Sequence, residues 1–328
     1  MRTLVRIIWM AVVCVAVPHG MAADDAPFEF RPGQTDQFAG ATCIVRVSTP
    51  AAGKPRNIVW LLTSESRTLA QGNTVLKPVE NMAADSTFEF QTPEVVNGVV
   101  LDVTLSCHLD GSGTDVVLPL RLRGPNPFEH VRETLEKHEI ALFDPVGKTA
   151  EALRGMEVTV QSVTTLQEVD KAPLVILGEG VEWNDRLAER ADELARQGKL
   201  MLVLRPHDES AWPLKLSAEN MSQWKCVSLA ESGLVPQKLD ILFWGTDANT
   251  KAGWELKISR QKLQLVPQNG PQVWQIAEYQ TVNQGRCLFA GFPLIAHWDS
   301  SPVPRELLAH VLISRLKSLT AASAAEIP

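Results

Sequence analysis

The sequence predicts two domains of different class: an all-β sandwich over residues 24–124 and an α/β domain over 138–317, joined by a linker at 125–137. Two observations carry this. From Phe28 to Arg123 short β-prone runs alternate with turn signals and helical periodicity is absent, whereas beyond Glu139 apolar strands alternate with amphipathic helices. The length fits: 328 residues suffice for roughly two domains of about 150 residues each.

Composition narrows the function classes. Hydrophobic residues make up 45% and charged residues 21%, an ordinary globular balance. With 31 Lys and Arg against 38 Asp and Glu the net charge is −7, so the chain has no basic footprint for nucleic acid. The same acidity disfavours charge-driven binding to an anionic membrane.

The first 23 residues read as a secretory signal. Arg2 and Arg6 begin it, Ile7 to Val17 is an apolar run, and Gly20 and Ala22 best fit the small-x-small rule at the cut, with cleavage after Ala23 as the rival. The run is about half of the roughly 20 residues needed to span a bilayer, and no later stretch is long enough to cross one. The expected location is therefore exported, periplasmic or extracellular. Removal of Cys14 with the signal leaves Cys43, Cys107, Cys226 and Cys287, none in a CxxC pair, which speaks against a thiolate metal site.

Seven runs make up the first domain: Phe28 to Phe30, Ala41 to Ser48, Asn57 to Thr63, Thr68 to Leu76, Thr87 to Gln91, Val99 to His108 and Val116 to Leu122. Their spacing of roughly 8–12 residues is that of a sandwich. Cys43 falls in the second run, Trp60 in the third and Cys107 in the sixth. That order resembles the immunoglobulin or fibronectin-like fold, although Leu105 stands where the corner tyrosine would be. The resemblance implies a Cys43–Cys107 disulfide packed against Trp60; two separate buried thiols are the alternative.

Gly124 to Pro127 closes the sandwich, and Phe128 to Lys137 reads as a short charged linker helix. Strands follow at Glu139 to Phe143, Glu157 to Val163, Pro173 to Leu177 and Leu200 to Leu204, with helices at Lys148 to Arg154 and Leu187 to Gln197, the latter ended by Gly198. Residues 213–284 are less regular, with runs at Ile241 to Trp244, Trp254 to Ile258 and Val273 to Ile276. Arg286 to Phe292 is a further apolar strand and Pro304 to Leu316 a closing helix, with an unstructured tail expected over 318–328. Such alternation implies a parallel sheet covered on both faces.

The segments Ala172 to Leu204 and Gly285 to Phe292, with the helix behind the latter, resemble class I glutamine amidotransferase-like domains, a three-layer flavodoxin-like fold found in enzymes and in silent modules of exported bacterial proteins. The resemblance implies a nucleophilic cysteine on a glycine-rich elbow after the fourth strand. Here that strand runs into Arg205, Pro206, His207, Asp208, Glu209 and Ser210, with neither cysteine nor glycine. His297, Trp298 and Asp299 stand where the family has His-x-Glu. A base without a nucleophile cannot run the family's amide hydrolysis, so glutaminase activity is excluded and a pseudoenzyme is implied.

In open α/β sheets ligands bind beyond the carboxyl ends of the strands. The polar residues there are Asp144, Glu179, Glu182, His207, Asp208, Glu209, His297 and Asp299, with Asp208, His297 and Asp299 the candidates for catalysis. Strand ends also collect polar residues simply because they face solvent. Trp183, Trp212 and Trp298 lie just past strand ends, and their flat indoles suit sugar rings or protein interfaces if a groove exists. Gly178 to Gly180 and Gly245 to Asp247 lack the features of phosphate loops, and no cofactor or metal motif is present. The sequence thus points to an exported, non-catalytic binding or assembly protein with a protein or glycan partner. The alternative is a hydrolase of carbohydrate or a related polymer, using strand-end carboxylates and histidines with or without metal.

Overall fold

The computed structural model describes residues 28–48, 56–79, 82–110, 115–169, 171–207, 224–228, 235–236, 238–240, 254–259, 262–267, 275–280, 285–291 and 293–325. The expected signal segment 1–23 lies outside them.

The first half is a single curled sheet of eight strands: β1 (Glu29–Phe30), β2 (Asp36–Phe38), β3 (Thr42–Ser48), β4 (Arg56–Ser64), β5 (Arg67–Val79), β6 (Met82–Gln91), β7 (Val100–Leu109) and β8 (Asp115–Arg123). Their spatial order is β1-β3-β6-β5-β4-β7-β8-β2. The expected sandwich of two separate sheets is corrected here. The 13-residue β5 pairs antiparallel with β4 along Arg67 to Leu76 and with β6 through Lys77 to Val79, so hydrogen bonding turns the corner without a break. All pairings are antiparallel except β2 with β8, which is parallel.

Alternation drives the curl. Cys43, Val45 and Val47 on β3 and Ile58, Trp60 and Leu62 on β4 point inward, while their neighbours along each strand face outward, as the two-residue period of a strand requires. Trp60 lies opposite Cys107 on β7 and its ring stacks against Phe90, 4.8 Å between centroids. Gly72, opposite Trp60 on β5, makes room for the indole: a Cβ there would lie 2.8 Å from Trp60 Cζ2. Cys43 and Cys107 share this hydrophobic cluster as free thiols. The expected bridge between them is not formed, and burial pushes each thiol up to about 12.

The connecting segment is docked rather than loose. A 3-10 turn at Glu129–Val131 leads into α1 (Arg132–Glu136), and Phe128 and Leu135 are buried in the core of the second half. That half holds a seven-stranded sheet in the order β10-β9-β11-β12-β17-β16-β13, with β9 (Ile140–Phe143), β10 (Gln161–Val163), β11 (Leu174–Leu177), β12 (Leu200–Val203), β13 (Trp224–Ser228), β16 (Gln275–Gln280) and β17 (Arg286–Ala290). Strands β14 (Trp254–Ser259) and β15 (Lys262–Pro267) pair with each other as a separate two-stranded sheet.

Five strands are parallel, but β16 and β13 join antiparallel. The described helices are α1, α2 (Lys148–Gly155), α3 (Asp185–Arg196) and α4 (Pro302–Ala325). This corrects the expected three-layer flavodoxin-like fold: the protein is mostly β, not a helix-rich α/β sandwich. The physical reason lies in the strand pairing: beyond β12 the strands β16 and β13 extend the sheet antiparallel and β14 pairs with β15 as a separate ribbon, so strand outweighs helix. One sheet face packs on α2, α4 and Phe128. The other takes α3 with Leu166, Val169 and Ala172. Alternate residues of each strand serve the two faces, Ile140 and Leu142 on the first and Ala141 on the second. Helix α4 also extends through most of the segment read as a tail.

No described helix is long and apolar enough to cross a membrane.

Candidate functional site

At the carboxyl ends of the parallel strands one predicted residue is a hub. Glu179 lies two residues beyond the end of β11, and its buried carboxylate accepts the Ile295 N–H at 2.7 Å and the Ala296 N–H at 3.2 Å. Its own N–H donates to Thr149 Oγ1 at 2.9 Å, which ties β11 to the start of α2. Burial pushes the Glu179 carboxyl above the ordinary carboxylate range, against the pull of the two amides and of Arg205. Every oxygen of this side chain thus holds the loop after β17 in place.

Its neighbour Gly178 is sterically required. A Cβ there would lie 2.6 Å from Asp144 Oδ1, so only glycine lets the end of β11 pass the Asp144 carboxylate. Asp144 Oδ2 accepts the Ala150 N–H at 2.8 Å, satisfying an amide in the first turn of α2, while Oδ1 is buried without a partner.

The other predicted residues separate into distinct places. His207 is exposed, and its N–H donates to the Val181 carbonyl at 3.2 Å. Glu182 is exposed and Trp183 is buried in the core against α3. His297 is half-buried beside Ser300, whose Oγ donates to the His297 carbonyl at 3.0 Å. Trp298 is only 5% exposed and packs toward Phe128, 6.3 Å between ring centroids. Asp208, Glu209, Ser210 and Trp212 lie outside the described residues. The structure therefore brings Glu179 to the loop 295–299, but it converts Trp183 and Trp298 from expected groove walls into core. Among the described residues no three His, Cys, Asp or Glu side chains are grouped to hold a metal ion.

Asp299 opens a second place. Its side chain is 89% exposed, and Oδ1 accepts Arg305 Nη2 at 2.6 Å. Arg305, one turn into α4, is almost fully engaged: Nε donates to the Trp298 carbonyl at 2.8 Å and Nη1 to the Pro125 carbonyl at 2.9 Å. The guanidinium also lies 4.5 Å above the Phe38 ring and 5.7 Å from that of Trp298. Around this group a cleft of about 720 Å³ opens between the halves, walled by residues 38–41 and 94–97 of the sheet half and by Pro125, Asp299 and Arg305. That volume falls in the usual range for ligand sites.

The walls are braced. Thr92 Oγ1 lies 2.8 Å from the Phe38 carbonyl oxygen and 2.9 Å from that of Ala41, and accepts the Ala41 N–H at 3.1 Å. The Gly40 N–H donates to the Pro93 carbonyl at 2.9 Å, and Asn97 Oδ1 accepts the Asn126 N–H at 3.2 Å.

Sequence reasoning missed Thr149, Arg305, Phe38 and Glu94. A signal existed for Arg305 alone: an arginine among Val303, Leu307 and Leu308 on a buried helix face must find acceptors. The cleft itself joins segments more than 200 residues apart and leaves no local trace.

No family model matches the chain, and no curated protein matches it. Solved structures give distant likenesses. One is a cycloisomaltooligosaccharide glucanotransferase from Paenibacillus sp., complexed with cycloisomaltoheptaose, at 7% identity and a TM-score of 0.24, covering 54% of this chain and 27% of that one. Another is a chitin binding domain from Burkholderia pseudomallei at 14% identity and a TM-score of 0.18, covering 27% of this chain and 55% of that one. The chain thus spans about a quarter and about half of their lengths. At such scores neither carries an argument about fold or activity, and they lend no support to the amidotransferase resemblance.

Proposed function

We propose that this chain is an exported, non-catalytic binding or assembly protein that works through the cleft between its halves. One observation carries the reading: the Glu179 carboxylate is spent on the backbone amides of Ile295 and Ala296. A general acid or base must present a proton or lone pair to substrate. Glu179 is buried with both oxygens engaged, and Asp299 is paired with Arg305. The Asp144 and Glu179 carboxylates at the strand ends hold backbone amides, while the braced cleft supplies a preformed concave surface. Export rests on the charged, apolar and small-residue order of the first 23 residues.

The test has two parts. N-terminal sequencing of the protein recovered outside the cytoplasm is expected to begin at Ala23 or Asp24. Incubation of the full chain with soluble and insoluble polysaccharides is expected to release no saccharide above buffer. Saccharide release abolished by Asp299→Asn or His297→Ala would overturn the non-catalytic reading.

A further inference from the structure

We infer that the cleft docks a polypeptide segment in which a basic side chain stands beside aliphatic ones. This rests on the binding reading above and names its partner's chemistry.

Charge argues first. The cleft carries three charged residues, Glu94, Asp299 and Arg305. Arg305 donates to the Trp298 and Pro125 carbonyls and to Asp299, and its side chain is nearly buried, so its charge is neutralised from within. Asp299 is spent on that pair, so the exposed Glu94 leaves the cleft with one net negative charge, on a chain that is acidic overall.

Apolar surface argues second. Val96 is 76% exposed at the mouth of the cleft, and Val99 and Val100 are exposed beside it. Val96 and Val99 flank the turn at Asn97 and Gly98, closed by the Val99 N–H to Val96 carbonyl bond of 3.1 Å, and Val96 brings aliphatic surface to the cleft. Such a patch rimmed by charge marks an interaction surface.

Aromatic faces decide between polypeptide and glycan. Sugar rings stack on open aromatic faces. The one aromatic residue of the cleft is Phe38, and the Arg305 guanidinium already covers its ring. Trp298 behind it is buried. What remains is aliphatic and carboxylate, which suits Lys or Arg next to Val, Leu or Ile.

The test is fluorescence anisotropy with the full chain at 0.15 M salt and three labelled ten-residue peptides, alternating Lys/Val, Glu/Val and Lys/Ser. The Lys/Val peptide is expected to bind, and the other two to bind at least about tenfold more weakly. Glu94→Lys and Val96→Ser, both at exposed positions, are expected to weaken Lys/Val binding about fivefold each, with unchanged unfolding midpoints. Equal binding of the Glu/Val peptide, or insensitivity to both substitutions, overturns the inference. If soluble chitooligosaccharides bind instead and Val96→Ser weakens them, the polypeptide inference falls and the binding reading stands. If neither peptide nor oligosaccharide binds, both fall.

Discussion

The backbone N–H of Asp240 donates to Asp36 Oδ2 at 2.6 Å, across 204 residues of chain. That bond is the centre of a buried ionic cluster between the halves. Asp36, fully buried, also receives Arg121 at 3.0 and 2.9 Å and the Nε of Arg123. Asp240 Oδ2 in turn accepts from the Thr35 N–H at 2.8 Å and hydroxyl at 2.7 Å. Arg123 reaches on to Glu306 of α4 and to the Lys238 carbonyl. Removing one partner leaves uncompensated buried charge, so Asp36→Ala is expected to cost about 3–5 kcal/mol of stability. Denaturant unfolding measures it; a loss below about 1 kcal/mol would show that the cluster does not join the halves.

Two buried carboxyls set a pH dependence. Burial raises Glu179 and Glu306 above the ordinary glutamate value of 4.5, with Arg123 opposing the shift at Glu306 and Asp36 adding to it. The folded chain then binds more protons than the unfolded one from that value upward. The contribution of these groups is full below about 4.5 and is lost as pH rises through their raised values. Glu306→Gln is expected to make the decline shallower, read from unfolding free energies at several pH values between about 4 and 8. An identical slope in the variant would contradict the assignment.

The cysteines supply a chemical prediction. With thiols pushed up to about 12 by burial, Cys43, Cys107 and Cys287 carry almost no thiolate at pH 8. Peptide mapping after iodoacetamide treatment is expected to find all three unmodified in the native protein. They should become alkylated in guanidinium without reductant. Labelling of the native protein would contradict their burial, and labelling that requires reductant would show Cys43 and Cys107 bridged.

Much of the first half was legible because a strand announces itself locally. The alternation of Cys43, Val45 and Val47, and the position of Trp60 in the core, follow from a period of two. What could not be read is how the strands close: whether β5 stops or turns the corner is decided by pairing to β6, not by its own residues. In the second half the apolar runs at Leu174–Leu177 and Leu200–Val203 and the helix between them could be read locally, but that β16 and β13 extend the sheet antiparallel could not. Glu179 was picked for its place at a strand end. Its role was hidden because its partners are backbone amides 116 and 117 positions away.

The most direct test of the account is the stability of Glu179→Ala. The account holds that this carboxylate builds the strand-end loop instead of serving chemistry. Its removal strips two amides, one of them fully buried, of their acceptor, and each unsatisfied buried group costs about 1–3 kcal/mol. Denaturant unfolding at pH 7 is predicted to show a loss of at least about 2 kcal/mol. A variant as stable as the unmodified chain, or more stable, would contradict it, because unchanged or increased stability is what the loss of a residue held for activity produces.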